Sequence, residues 1–344
     1  MRRRMLRAIG VASAGLSLLV AAGCSGPGSG SGTTGTSLAG NVSMPTVAGL
    51  EKTNLTVGAV PVADEAGLYI AQDEGLFAQE GLHVTIKSII SSADATTGQN
   101  SGKYDITAGN SVSYIQDQVS HASDLEIVAE GSQMQPGNQA LYTLPGSRIT
   151  NISQLRGARI GVNAENNIGT LLISSVLKEY GISARQVDFV PVNFPFMGQY
   201  LEQGKIDVAW LPEPFGSVDA ESMGLQELCD LDQGAAEDFP VGWYVATKAW
   251  AKKYPRALQA FLTALQAGQQ LADSHRNIVE EAMERLPSPY TVTPAIASVM
   301  TLETYPLSVA PDIDLLRVQR VANEMLQFHM LSQPFKVSTM LGGL

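Results

Sequence analysis

The chain has 344 residues, 44% of them hydrophobic and 16% charged, with a formal charge of −11. That length exceeds what one hydrophobic core usually spans and points to two lobes. The acidic balance argues against nucleic acid as a partner and against electrostatic adsorption to anionic lipid.

At the start, Arg2, Arg3, Arg4 and Arg7 precede an apolar stretch that runs to Ala22, and Gly23 leads into Cys24. A basic start, a short apolar run and small residues before a cut predict a secretory signal over 1–23. The run is shorter than the roughly 20 residues a bilayer span needs. Ala21-Ala22-Gly23-Cys24 resembles the lipobox of bacterial lipoproteins. That resemblance implies lipidation of Cys24, cleavage before it, and attachment to the extracytoplasmic face of the cell membrane through the acyl anchor only. Each acyl CH₂ buried in lipid adds about 0.8 kcal/mol, so several chains hold where one does not. Losing the four arginines brings the mature chain to about −15. Residues 25–36 are Ser, Gly and Thr with one Pro and read as a flexible tether, so 24–52 are set outside the fold. With Cys24 acylated, Cys229 is the one remaining thiol and no internal disulfide forms.

Beyond the tether, strand and helix patterns alternate. Residues 55–60 read as a buried strand and 66–73 as a helix whose first turn is preceded by Asp64 and Glu65. Strands are expected over 83–90, 104–109 and 125–129, with a helix from Asn110-Ser111 to about residue 120. The pattern restarts with a short capped helix at 151–157, a strand at 158–162, a helix over 171–180 ended by Gly181, and strands at 187–192 and 206–210. Helices then dominate, over 255–286, 294–302 and 314–330. Such strand–helix–strand units predict a largely parallel sheet flanked by helices.

Five blocks carry a family resemblance. They are the run from Gly67-Leu68-Tyr69-Ile70 through Gly75-Leu76-Phe77 to Val84, Lys103-Tyr104-Asp105-Ile106-Thr107-Ala108-Gly109, residues 152–162, Gly204-Lys205-Ile206-Asp207-Val208-Ala209, and Glu213-Pro214. In this order they resemble the substrate-binding proteins of ABC importers for nitrate, sulfonates, taurine and the thiamin pyrimidine precursor. The resemblance implies a two-lobed α/β clamp of the periplasmic-binding-protein type II kind, with mixed, mostly parallel sheets. Lobe 1 is expected over 53–142 plus 247–344 and lobe 2 over 143–246, with crossings at 138–146 and 242–248. It further implies a monomer that binds a small-molecule solute and works with an ABC permease and its ATPase, with no catalytic residue and no cofactor.

Ligands of open α/β sheets sit beyond the carboxyl ends of strands, next to helix starts. Three segments qualify: 61–67 with Asp64 and Glu65, the pair Asn110 and Ser111, and 163–170 with Asn163, Asn167, Gly169 and Thr170. Helix N-termini favour anions, yet the same side chains also suit ordinary caps. No Arg or Lys lies in any of the three, and Asp64, Glu65 and Glu213 repel an oxyanion. Trp210, Trp243 and Tyr244 offer flat faces for stacking or for the core. The ligand therefore stays open between a sulfonate- or nitrate-type anion and a heteroaromatic like the thiamin pyrimidine. His83, His121, His275 and His329 have no metal-ligand spacing, so no metal is expected. A sensor lipoprotein that shows its closed state to a receptor is the alternative, and an enzyme on the same fold is the remoter one.

Overall fold

The computed structural model describes residues 49–342. The expected signal, the acylated Cys24 and most of the tether lie outside the described residues.

Strand β1 (Asn54–Ala59) leads through a 3₁₀ turn (Ala63–Glu65) into helices α1 (Ala66–Asp73) and α2 (Leu76–Gln79). Gly75 separates them with φ 67°, the left-handed conformation that a glycine adopts without steric penalty. Next come β2 (His83–Ser88), α3 (Ser92–Asn100), β3 (Ile106–Asn110), α4 (Ser111–Val119) and β4 (Leu125–Gln133). The chain continues with β5 (Gln139–Thr143), β6 (Arg159–Val162), α5 (Ile168–Glu179), β7 (Asp188–Pro191), α6 (Met197–Glu202), β8 (Val208–Pro212), α7 (Phe215–Met223) and β9 (Gln226–Asp230). It ends with β10 (Pro240–Thr247), α8 (Lys248–Lys253), α9 (Pro255–Ser274), α10 (Arg276–Glu284), α11 (Pro294–Ala297) and α12 (Leu315–Gln327).

Two five-stranded sheets result, in the orders β2-β1-β3-β10-β4 and β7-β6-β8-β5-β9. They share one topology. In each, three parallel strands are followed by one reversed strand, β10 or β5, which pairs antiparallel on both sides. In each, therefore, four strands of five run the same way. This is the expected two-lobed α/β architecture. The passages between sheets are 134–138 outward and 231–239 back. Both differ from the expected 138–146 and 242–248, which instead cover β5 and most of β10. The lobe limits at 142/143 and 246/247 shift with them: β5 belongs to the second sheet and β10 to the first. The reversed strand each sheet needs is supplied directly after the passage, so the pairing begins earlier than a plain crossing segment would allow.

The two Gly-Lys-x-Asp motifs perform the same task in each lobe. Asp105, just before β3, accepts from the Thr56 backbone N–H on β1 at 2.8 Å and from Trp250 Nε1 at 2.7 Å, and pairs with Lys52. Asp207, just before β8, accepts from the Arg159 backbone N–H on β6 at 2.8 Å and from its guanidinium at 2.7 and 3.0 Å. Both carboxylates sit at the amino ends of the strands, away from the ligand end. The motifs are therefore structural clips between neighbouring parallel strands.

Helix α9 lies across α1 at a glycine-to-glycine crossing. A Cβ on Gly268 would stand 2.2 Å from the Gly67 carbonyl oxygen, and one on Gly67 would stand 2.6 Å from Gln269 Cγ. Phe77 stacks on Phe261 beside it, ring centroids 5.2 Å apart. The expected single helix over 255–286 is broken at His275, where φ is −137° and ψ 89°. No Gly or Pro marks the break. Past it, Arg276 donates to the carbonyls of Ala297, Ser298 and Met300 at 3.2, 3.0 and 2.7 Å. Those carbonyls are drawn out of a helical ladder, which is why the expected helix over 294–302 is reduced to Pro294–Ala297.

Gly268→Ala forces backbone apart at this crossing, and an overpacked core site typically loses about 1–3 kcal/mol. A urea titration is expected to show a lower midpoint with an unchanged slope; an unchanged midpoint contradicts the close crossing.

Candidate ligand-binding site

A cleft lies between the carboxyl ends of the two sets of parallel strands. The first lobe contributes Asp64 and Glu65 from the turn after β1, and Asn110 at the end of β3. The second contributes Gln139 at the start of β5, Asn163 after β6, Phe194 after β7 and Trp210 on β8. The cavity is about 40 Å³. That is room for a few waters.

The two walls differ in chemistry. Opposite the acids stands an aromatic stack: Phe194 meets Trp210 edge-on at 5.3 Å and lies flat on Phe215 at 5.3 Å. Gly169 lets α5 press on the same indole, since a Cβ there would come within 2.3 Å of Trp210 Cε3. Asp64 and Glu65 are 7% and 2% exposed, so both carboxyls are almost wholly withdrawn from water. Asp64 Oδ1, Glu65 Oε2, Gln139 Oε1 and Trp210 Nε1 are buried in the lining without a hydrogen-bond partner. Three of these four atoms are acceptors. Burial drives both carboxyls above the ordinary carboxylate range, and for Glu65 the Asp64 charge adds to it. Among the described residues no Arg or Lys lines the cavity.

Of the residues expected at the site, Asp64, Glu65, Asn110 and Asn163 line the cleft together. The others lie outside its lining, each with another task. Ser111 donates to the Pro240 carbonyl at 3.0 Å, tying α4 to β10. Asn167 caps α5, accepting from the Thr170 N–H at 3.4 Å and donating to Asn163 Oδ1. Thr170 donates to the Asn167 carbonyl at 2.8 Å. Trp243 is fully buried in the first sheet, so it presents no face to a ligand.

Glu213 links the lobes. Its carbonyl accepts from the Ala63 N–H at 3.0 Å and its N–H donates to the Asn138 carbonyl at 3.0 Å. Its carboxylate accepts from Ser217 Oγ at 2.7 Å, the Ser217 N–H at 3.2 Å and the Thr301 N–H at 3.3 Å. Gln139 and Phe194 were not expected. The carboxyl-end rule applied to the strand at 187–192 leads to Phe194; Gln139 belongs to a strand that the sequence did not reveal. Cys229 is half-buried, and burial pushes its thiol up to about 11, which removes it as a nucleophile at neutral pH. Among the described residues no group of three or more His, Cys, Asp or Glu is placed to hold a metal ion, and no helix is long and apolar enough to cross a membrane.

Twin sheets of one topology, with a cleft at their carboxyl ends, define the two-lobed α/β class of periplasmic-binding-protein-like folds. Within that class the chain belongs to the NMT1/THI5 like family, whose profile matches residues 62–277. The alkanesulfonate-binding protein SsuA of Xanthomonas axonopodis, solved with MOPS bound, superposes with a TM-score of 0.71 at 15% identity, covering 86% of this chain and 100% of that one. The nitrate-binding protein NrtA of Synechocystis gives 0.71 at 14% identity, covering 85% of each. A 4-amino-5-hydroxymethyl-2-methylpyrimidine phosphate synthase of Uromyces fabae is 27% identical over 218 residues, 58% of this chain. The chain spans only 61% of that relative's length.

A carboxyl whose folded pKa is raised supports stability below its ordinary range, near pH 4.5, and loses that support as pH rises through the folded value. Glu65→Gln removes the loss. It is expected to melt above the parent near neutral pH and level with it near pH 4; a lower melting point near neutrality contradicts a carboxyl at 65 raised by burial.

Proposed function

We propose that the protein is an extracytoplasmic lipoprotein, anchored through Cys24, that captures a nitrogen-bearing heteroaromatic solute between its lobes and hands it to an ABC permease driven by its ATPase. The observation that carries this reading is the pairing of two buried carboxyls, Asp64 and Glu65, each with one oxygen that lacks a donor, with the Phe194–Trp210 wall across the cleft. A planar ring fits between such walls, and its N–H edge supplies the donors the acids lack. An oxyanion meets two carboxyls and no cation there. The pyrimidine in the name of the Uromyces fabae relative is a ring of this chemistry.

The cleft as it stands is too small for such a ring, so the solute enters an opened form. Lobes that pivot on the passages 134–138 and 231–239, with Glu213 bridging them near Asn138, supply that motion. The ligand then favours closure by touching both lobes, shifting the population only by its differential affinity for the closed form. Acyl anchoring keeps the closed, loaded form close to the permease. The protein acts as a monomer on this reading, since one chain supplies both walls.

Asparagines 110 and 163, at or beside helix starts, carry the second reading, a sulfonate or nitrate ligand, because amide N–H groups can serve an anion. Melting curves separate the two. Against 4-amino-5-hydroxymethyl-2-methylpyrimidine, taurine, an alkanesulfonate and nitrate, a ligand at a hundredfold excess over its Kd adds about 2.7 kcal/mol. That raises the melting point by a few degrees in a chain of this size. A shift with the pyrimidine, lost in Asp64→Asn, is expected; a shift confined to the anions contradicts the heteroaromatic reading.

A further inference from the structure

Asp64 has a carboxyl neighbour from the far end of the chain. Thr304 and Gln133 exchange backbone hydrogen bonds of 2.9 and 3.1 Å, laying the C-terminal segment antiparallel along the edge of β4, with Glu303 opposite Met134 and diagonal to Ser132. There the carboxyls of Asp64 and Glu303 meet beside the Ser132 hydroxyl, which itself has no hydrogen-bond partner. Glu303 is 6% exposed. One of its oxygens, Oε1, accepts from Asn138 Nδ2 on the outward passage. The other, Oε2, has no donor, and neither has Asp64 Oδ1.

Among the described residues no cation acts on the pair. Glu65 lies on the same turn and raises Glu303 further. Tyr305, from the tail, spends its hydroxyl on the Ala63 carbonyl at 2.9 Å, and its N–H on Asp273 of α9 at 3.3 Å. Tyr69 of α1 and Tyr244 of β10 face Glu65. Across the cleft, Glu213 keeps to Ser217 and Thr301. Two carboxylates in contact in a dry site repel each other and do not both ionise. A single proton donated from one to the other gives a partner to each of the two orphaned oxygens.

We propose that Asp64 and Glu303 hold one proton between them at the floor of the cleft and give it up when a nitrogen-bearing ligand takes its place. The exchange rests on the cleft being the ligand site; the shared proton does not. The O–H bond of the pair breaks, and the proton passes to the ring nitrogen of a neutral base or, when the ligand arrives as a cation, to water. In both cases the ligand's N–H then donates to Asp64, and the net charge enclosed in the cleft is unchanged. Glu303 does not line the cavity. It is a positioning residue: it aims Asp64 and, through its other oxygen, ties the cleft floor to Asn138 on the passage about which the lobes turn.

Infrared spectroscopy of the full chain reads the proton directly, as the carbonyl stretch of an un-ionised carboxyl. Near neutral pH the wild type is expected to show a component that Glu303→Gln lacks and Glu65→Gln keeps. Asp64→Asn, which offers Glu303 an amide donor in place of the proton, removes the same component and serves if Glu303→Gln fails to fold. Adding 4-amino-5-hydroxymethyl-2-methylpyrimidine is expected to abolish it in the wild type. Identical spectra for the free wild type and Glu303→Gln overturn the shared proton, and a component that persists with the pyrimidine bound overturns the exchange. If the pyrimidine does not bind, the ligand class and the exchange both fail, while the free-protein spectra still decide the shared proton.

Discussion

Each sheet of this protein is completed by a strand that the chain lays down immediately after leaving the other sheet. β5 and β10 run against the strands around them, and both start within a few residues of a passage. That constraint fixes the rest. The carboxyl ends of β1 and β3 must confront those of β6 and β8, so the loops that follow these strands share one cleft. It also keeps the passages short, 134–138 and 231–239, so both ties between the sheets lie at the start of β5 and β10.

Within that frame the cleft places its polarity unequally. One lobe brings carboxyls that have lost their water and gained no cation; the other brings indole and phenyl rings held by packing. Burying an acceptor without a donor is unfavourable in the free protein. The imbalance is tolerable where a ligand or a proton supplies the missing hydrogen, which is why binding sites collect such groups. Arg317 makes the contrast plain. It gives Glu130, equally buried on β4, two charge-assisted hydrogen bonds and so makes that acid structural. Asp64 and Glu303, close by in the same lobe, receive nothing comparable.

Much of this was legible in the sequence. The β1–α1 unit, the Asn110 cap and the strand–helix restart near residue 158 stand where periodicity and caps put them, because local propensity and burial agree there. The rule that ligands gather beyond strand ends led to Asp64, Glu65, Asn110 and Asn163. What stayed hidden depends on distant partners. β5 is a five-residue strand with Gln and Thr at its ends, recognisable only once β8 and β9 flank it. The break at His275 has no Gly or Pro to announce it, and Arg276 stabilises it by reaching carbonyls more than twenty residues away. Glu303 sits in a segment with no helical or strand pattern. The bridge from Thr304 to Gln133, with the Tyr305 hydroxyl on the Ala63 carbonyl, brings it under a turn that lies near the opposite end of the chain.

Hydrogen exchange with and without a ligand that raises the melting point tests the central claim, that one solute is gripped by both lobes, most directly. Added protection is predicted in the 60–65 turn and around Asn110 of the first lobe, together with 163–168 and the end of β8 in the second. The passages 134–138 and 231–239 should change alongside them. Protection confined to one lobe, or gathered at a surface away from these loops, would contradict the clamp.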